Sequence, residues 1–217
     1  MNPLLLAPPN KPIHILALGA HADDIEIGAG GTLLHLLKTR PGSTVTWVVF
    51  SANGPREAEA QNSANAFLKN AKKSTVQLHH FRDAFFPHEG PPLKEAFEAL
   101  KKTPKPDLVL THYRNDLHQD HREICSLTWN TFRNHNILEY EIPKFDGDLD
   151  RPNTYIPLPK ATVTQKIRLL HKHFPSQSKK HWYDEETFRG LLRIRGLECN
   201  APSKYAEAFH ANKIILT

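Results

Sequence analysis

Residues 13–37, IHILALGAHADDIEIGAGGTLLHLL, form the stretch that decides the fold and concentrates its charged chemistry. The stretch begins with a short apolar run, residues 13–18, whose length and following Gly19 predict a buried strand. One histidine and three acids follow within six residues: His21, Asp23, Asp24 and Glu26. Acids packed directly after a buried strand are unfavourable unless a cation compensates them. We therefore expect this stretch to present a metal ion.

The rest of the chain alternates between strand and helix patterns. Strands are predicted at residues 13–18, 44–51, 75–81, 108–111 and 208–216, and helices at 29–39, 56–72, 91–102, 120–134, 160–173 and 185–195. This alternation indicates an α/β sandwich with a mainly parallel central sheet. We expect one domain over residues 1–217, whose residues 1–12 form a loose Pro-containing arm. A Pro-interrupted extended stretch is expected at residues 139–155.

Composition excludes several classes of protein. No apolar run approaches the roughly 20 residues of a membrane span, and the first residues lack the basic and apolar regions of a signal peptide. Two cysteines, Cys125 and Cys199, are too few for a disulfide scaffold, so reduced thiols in a cytoplasmic protein are expected. The net charge of +5 comes from scattered Lys and Arg rather than a basic block. That distribution argues against a nucleic-acid partner and fits an anionic small substrate.

A second dense cluster follows the strand predicted at residues 108–111. Two histidines and two aspartates lie within six residues there, from Asp116 to His121. Sites in open α/β sheets lie beyond the carboxyl ends of strands, so the two clusters meet if their strands are adjacent. A histidine and an aspartate from the first cluster and a histidine from the second would leave one coordination position open. Three protein ligands with an open position are typical of catalytic zinc.

The three glycines after the acid cluster invite a dinucleotide-binding interpretation, which fails on spacing. Leu33 stands where the third glycine of GxGxxG is required, and the glycines follow the acids rather than the strand. We expect Gly28, Gly30 and Gly31 to permit a tight turn and close helix packing.

The two clusters and a segment near residue 205 resemble motifs of a known family. AHADDIEIGAGGTL, from Ala20, resembles the AHPDDxxxGxGG motif of the PIG-L/LmbE-like deacetylases, and THYRNDLHQDH, ending at His121, resembles their HxxxDxHxDH motif. KYAEAF, from Lys204, resembles the YAEAF segment near their carboxyl end. The matches span most of the chain. Ala22 stands where the family usually has proline, a change that removes no functional group.

The resemblance implies a Rossmann-like three-layer sandwich that uses one zinc ion to remove acetyl groups from N-acetylated amino sugars. It implies three zinc ligands: His21, Asp24 and His121. Asp23 would be the general base, and His118 an imidazolium that faces the oxyanion and then protonates the leaving amine. Asp120 would orient His118 and raise its pKa; the alternative for Asp120 is a helix N-cap.

Further residues match family positions less specifically. Arg56 matches an arginine near the substrate and Asp83 an acid that contacts sugar hydroxyls; the alternative for each is a surface ion pair. His112 and Asp116 either support the metal ligands or hold their loop, and Glu26 has no assigned role.

We therefore predict a zinc-dependent hydrolase of an N-acetylglucosamine-type glycoside or conjugate. Two alternatives remain: a non-catalytic sugar-binding domain with a vestigial metal site, and a metal-dependent hydrolase of another bond. Phosphoester hydrolysis, for example, often requires two metal ions. The expected partner is a small N-acetylated sugar or glycoconjugate, without nucleic acid or stable membrane insertion. Homo-oligomerisation, which is common in the family, is left open, as are the amino sugar and its aglycone.

Overall fold

A computed structural model describes residue 8 and residues 10–215 of the chain. Residues 1–7 and 9 of the expected amino-terminal arm, and Leu216 of the expected last strand, lie outside the described residues. Within the described ranges, no helix combines the length and apolar character needed to cross a bilayer.

The described residues form seven strands and six α-helices. The strands are β1 (His14–His21), β2 (Thr44–Ser51), β3 (Lys73–Leu78), β4 (Leu108–His112), β5 (Ile137–Tyr140), β6 (Thr154–Pro157) and β7 (Ala206–His210). The helices are α1 (Asp24–Thr39), α2 (Pro55–Phe67), α3 (Gly90–Leu100), α4 (Gln119–Phe132), α5 (Lys160–His173) and α6 (Glu185–Glu198). Short 3₁₀ turns occur at Phe86–His88 and Pro175–Gln177.

The strands form one sheet in the order β3-β2-β1-β4-β5-β7-β6. Strands β3, β2, β1, β4 and β5 run parallel to one another, whereas β7 runs antiparallel to both β5 and β6. This mostly parallel α/β architecture confirms the expected fold class. Because β1 and β4 are adjacent and the strand order reverses between them, their carboxyl ends flank the crevice where such sheets bind ligands.

Both faces of the sheet are buried, as expected for a three-layer sandwich. Along β1, Ile15 and Ala17 belong to the core shared with α1, α2 and α5, whereas Leu16 and Leu18 belong to the core on the side of α3 and α4. The near-continuous apolar composition of β1 follows from this two-sided burial.

Helix α1 begins at Asp24, five residues before the expected start at residue 29. The three glycines therefore lie inside the helix, and the predicted tight turn was wrong. The predicted close packing is confirmed, because a Cβ on Gly28 would overlap the ring of Tyr140 and one on Gly30 would lie 2.6 Å from Cε1 of Phe67. The glycines let α1 approach β5 and α2 more closely than any other residue would permit.

The interior of α1 is also tied to the last strand. The Glu207 carboxylate accepts hydrogen bonds from the backbone N–H groups of Gly31 at 2.8 Å and Thr32 at 2.6 Å. Lys166 donates to Glu207 at 2.6 Å and to the Ile27 carbonyl at 2.5 Å. Both charged side chains are buried, so their mutual pairing and these backbone contacts are what make the burial tolerable. Glu207 is the acid of the YAEAF-like segment.

Gly28→Ala is expected to lower the free energy of unfolding by about 1–3 kcal/mol, because the new methyl group overpacks against a fixed ring. Tyr140 cannot easily yield, since it is fully buried and its hydroxyl donates to the Leu18 carbonyl at 2.6 Å. Denaturant unfolding measures the change. The matched control is Gly190→Ala in α6, where a Cβ meets no atom within 4 Å. Alanine there should raise stability by roughly 0.5–1 kcal/mol. Equal effects at the two positions would contradict the packing argument.

Candidate active site

The two sequence clusters meet in a cleft of about 780 Å³ at the carboxyl edge of the sheet. The first cluster runs from the end of β1 into the first turn of α1. The second runs from the loop after β4 into the first turn of α4. Seventeen residues line the cleft: His21, Asp23, Asp24, Ser51, Asn53, Arg56, Asp83, His118, His121, Ile142, Lys144, Phe145, Asp146, Lys179, Lys180, His181 and Trp182. Seven of the eight expected site residues are among them, and Asp120 lies beneath the cleft, fully buried.

Three side chains converge with the spacing of a metal site. His21 Nδ1 and His121 Nε2 are 3.3 Å apart. Oδ2 of Asp24 is 3.3 Å from His21 Nδ1, and its Oδ1 is 3.6 Å from His121 Nε2. Tetrahedral zinc with bonds of about 2.0–2.1 Å separates neighbouring ligand atoms by about 3.3 Å. The arrangement of His21, Asp24 and His121 therefore fits a zinc ion.

Carboxylates on the far sides of both rings aim the coordinating nitrogens inward. His121 Nδ1 lies 2.9 Å from Asp116 Oδ2. His21 Nε2 lies 3.2 Å from Asp120 Oδ2 and 3.1 Å from Asp83 Oδ1. An ionised carboxylate only accepts, so each ring carries its proton on that outer nitrogen. Lone pairs then remain on His21 Nδ1 and His121 Nε2, the two atoms that face each other, as is usual for histidine ligands of metals.

The charges at this point favour a cation. Burial raises the pKa of Asp24, but the neighbouring histidines more than offset it and bring that pKa well below its ordinary value. Burial lowers the pKa of His21, and the carboxylates of Asp24, Asp120 and Asp83 outweigh burial and raise it well above its ordinary value. Burial and nearby His112 lower the pKa of His121 to about 3. The raised pKa of His21 means that the surrounding carboxylates favour a positive charge at this point. A zinc ion would supply that charge in place of the proton on Nδ1, since a ligand histidine must be neutral.

Asp23 is held in a strained position beside these residues. Its φ of 120° is rarely adopted by a non-glycine residue, and such strain persists only where surrounding contacts impose it. Arg56 at the start of α2 provides one such contact, because its Nη2 lies 2.7 Å from Asp23 Oδ1 and also donates to the Ala22 carbonyl. Oδ2 of Asp23 is buried and has no hydrogen-bond partner among the described residues. Burial raises the pKa of Asp23 to about 7, despite the opposing charge of Arg56.

The two expected substrate-binding residues both reach the cleft. Arg56 is partly buried against Asp23 rather than forming a surface ion pair, so it bears directly on the expected base. Asp83 follows β3 and is largely exposed, with its hydrogen bond to His21 as the main reason that its pKa is lowered to about 2. An exposed, ionised carboxylate in the cleft wall is available to sugar hydroxyls.

The expected contact between Asp120 and His118 was wrong. The Asp120 carboxylate instead faces His21 and accepts from the backbone N–H groups of Ala84 at 2.7 Å and Phe86 at 3.2 Å. Side chains two positions apart near the start of a helix do not face each other, which explains the difference. Nor does Asp120 cap α4: His118 is the N-cap, and its Nδ1 accepts from the Asp120 N–H at 3.3 Å.

The surroundings of His118 act in both directions on its charge. Burial and the neighbouring His21 lower its pKa, although Asp24 and Asp120 act in the opposite direction. Because Nδ1 accepts a backbone hydrogen bond, the ring proton of the neutral form lies on Nε2. In that neutral form, His118 presents an N–H donor to the cleft.

Three supporting residues were left unassigned or missed by sequence reasoning. His112 is fully buried, stacks on His121 with ring centroids 3.9 Å apart, and accepts from the Ala20 N–H at 2.9 Å. Asp116 orients His121, and Lys144, whose sequence context gave no signal, pairs with Asp116. The density of ligand-type residues between His112 and His121 was the available signal for the first two. Glu26 is buried in α1, where burial raises its pKa to about 8.

Comparisons with known proteins agree with this arrangement. Residues 16–132 match the family model described as PIG-L: GlcNAc-PI de-N-acetylase. The uncharacterized deacetylase YaiS of Escherichia coli K12 is 28% identical over 183 residues, covering 80% of this chain and 97% of that protein.

Two solved structures share the fold. The conserved protein TT1542 of Thermus thermophilus superposes with a TM-score of 0.72 at 19% identity, covering 94% of this chain and 97% of that one. The N,N'-diacetylchitobiose deacetylase of Pyrococcus horikoshii superposes with a TM-score of 0.67 at 18% identity, covering 94% and 84% respectively. At such identities the likeness concerns the fold alone.

Proposed function

The chain belongs to the PIG-L, GlcNAc-PI de-N-acetylase, family, and we propose that it hydrolyses the N-acetyl group of an amino sugar with one zinc ion. The family resemblance in its motifs is thereby confirmed. The observation that carries the proposal is the convergence of His21 Nδ1, His121 Nε2 and Asp24 beside Asp23. Oδ2 of Asp23 has no hydrogen-bond partner within the described part of the chain. Ligands and base together in one open cleft are what metal-assisted amide hydrolysis requires.

His21, Asp24 and His121 would hold the zinc. When bound, zinc supplies a Lewis acid that lowers the pKa of water and polarises a carbonyl. Two of the three ligands have carboxylate partners that fix their orientation, so the centre is arranged before substrate arrives.

Asp23 is proposed as the general base. Its Oδ2 accepts a proton from the attacking water while Arg56 holds Oδ1, and a pKa near 7 suits a group that both takes and returns a proton at neutral pH. The new carbon–oxygen bond forms as the carbonyl carbon becomes tetrahedral. The carbon–nitrogen bond then breaks, and the proton held at Oδ2 passes to the leaving nitrogen. Acetic acid and the free amino sugar result, which balances the added water.

His118 is proposed to stabilise the oxyanion. The neutral ring donates from Nε2 into the cleft, and a fixed donor at the developing charge contributes on the order of 10²–10³-fold in rate. We propose a neutral donor here instead of the imidazolium expected from the sequence. Asp23 rather than His118 then delivers the proton to the leaving nitrogen.

The cleft supports a substrate of sugar size. Its volume of about 780 Å³ exceeds the space of one sugar ring, so part of an aglycone is accommodated as well. Asp83 offers a carboxylate oxygen and Asn53 its amide oxygen to hydroxyls along the wall, and we propose that these contacts orient the ring. We also propose that the protein acts in the cytoplasm on a small N-acetylated sugar or glycoconjugate.

Release of equal amounts of acetate and free amine from N-acetylglucosamine derivatives tests the proposed reaction. Activity should be lost with a strong chelator and should return with one equivalent of zinc, because the ligand atoms of His21, Asp24 and His121 lie close enough to share a single ion. Mass spectrometry of the product and metal analysis provide the measurements. Binding of sugars without turnover would favour the sugar-binding alternative, and restoration only at two equivalents of metal with phosphoester cleavage would favour the other hydrolase.

A further inference from the structure

Lys144 is a nearly buried lysine in the wall of the cleft. It lies just beyond β5, and its side chain is 9% exposed. Its Nζ is 3.0 Å from Asp116 Oδ1 and also pairs with Asp148 Oδ2. A lysine removed from water is costly unless carboxylates surround it, and these two acids account for its burial.

Asp116, the first partner of Lys144, connects two residues of the proposed site. Its Oδ2 contacts Nδ1 of the zinc ligand His121 at 2.9 Å. Its Oδ1 accepts from the backbone N–H of His118 at 2.8 Å, on the same oxygen that Lys144 contacts. The Asp116 carboxylate thus positions both the ring of His121 and the backbone of His118. Among the described residues, Lys144 is the sole lysine or arginine whose charged group lies within 4 Å of this carboxylate.

We propose that Lys144 is a positioning residue that holds Asp116, and through Asp116 orients His121 toward the metal. This inference rests on the proposed zinc site. The ammonium group attracts Oδ1 and so fixes the rotation of the carboxylate, which leaves Oδ2 for His121. Carboxylates that orient histidine ligands typically contribute 10–100-fold in metal affinity or activity. Part of that effect on metal affinity depends on Lys144, because Lys144 restrains the Asp116 carboxylate.

Asp148, the second partner, ties the cleft wall to the same point. Its carboxylate accepts from the Leu117 N–H at 2.7 Å while it also binds Lys144. Lys144 and Asp148, at the two ends of residues 144–148, therefore both bind the loop that runs from Asp116 to His118. The wall residues Phe145 and Asp146 lie between Lys144 and Asp148 in the sequence. Lys144 thus connects this part of the cleft wall to Asp116, the residue that contacts His121.

Lys144→Met tests the inference through zinc affinity, measured by competition with a chromophoric chelator. We expect affinity to fall about tenfold, and Lys144→Arg to restore most of it because its guanidinium can still bind Asp116. The control is Lys94→Met, which removes another lysine–carboxylate pair, with Glu98 on α3, outside the cleft. Zinc affinity of that variant should match the parent. Lys144→Gln serves if the methionine variant does not fold.

A double-mutant cycle identifies the route of the effect. Asp116→Asn alone should weaken zinc binding by about 10–100-fold. If Lys144 acts through Asp116, adding Lys144→Met to that variant should weaken binding no further, because the group that it restrains is already lost. Additive losses would overturn the inference.

Other outcomes separate this role from its competitors. A raised KM with unchanged zinc affinity would make Lys144 a substrate contact, and a lowered melting temperature with unchanged zinc affinity would make it structural; either overturns the inference while the zinc site stands. If the parent protein binds no zinc, both the proposed function and this inference fail.

Discussion

Asp23→Asn is expected to lower kcat about 10²–10⁴-fold while leaving zinc in place. Asparagine is nearly isosteric and tolerates a positive φ, so it preserves the backbone at 120° and a partner for Arg56. It cannot accept the proton of the attacking water at Oδ2. The loss should therefore appear in kcat, with little change in KM. Single-turnover kinetics with metal analysis of the same samples distinguishes lost chemistry from lost metal.

The control for this prediction is Asp107→Asn. Asp107 accepts from the His14 N–H at 2.7 Å, at the amino end of β1 and opposite the cleft. Its replacement should leave kcat unchanged. Full turnover by the Asp23 variant would show that another group takes the proton, and loss of zinc from that variant would make Asp23 a ligand.

His121→Gln is expected to abolish measurable turnover and weaken zinc binding at least about a hundredfold, since a ligand matters more than the partner that orients it. Glutamine retains a donor toward Asp116 but lacks the imidazole lone pair opposite His21. The parent protein should melt at a higher temperature when zinc is added, because zinc binds the folded state. The variant should show little shift. Thermal unfolding with and without zinc measures this directly, without an activity assay.

His35→Gln is the matched control for the histidine. His35 is a half-buried histidine of α1 that does not line the cleft. It should retain both zinc-dependent stabilisation and turnover. An undiminished zinc shift in the His121 variant would contradict the ligand assignment and would direct attention to the neighbouring group of His21, Asp83 and His118.

Sequence patterns predicted the elements whose boundaries depend on local chemistry. The bounds of β2 and α5 agree with the pattern-based ranges, because β-branched and aromatic residues define the first and a clean helical periodicity defines the second. The start of α1 was missed because glycines and clustered acids resemble a loop. Contacts with Tyr140, Phe67 and Glu207, all distant in sequence, are what make a helix there acceptable.

The same distinction applies to the site. The two clusters, each following a predicted strand, together with the family resemblance predicted that His21, Asp24 and His121 would meet. The partner of Asp120 was missed because it lies 99 positions away, across the crevice, whereas nearness in sequence suggested His118. Lys144 was missed because it lies in a Pro-interrupted stretch with no periodicity, and only the fold brings it to Asp116.

The tie between Glu207 and α1 has a consequence for how the protein is made. Glu207 lies 176 positions after Gly31, so α1 leaves the ribosome well before the strand that carries its buried carboxylate partner. Chains fold as they emerge, amino-terminal parts first. Until β7 joins the sheet, the nascent α1 lacks the carboxylate that Gly31 and Thr32 contact, and Lys166 lacks its counter-charge. We therefore expect α1 to gain its full stability only after β7 has been synthesised and has joined the sheet.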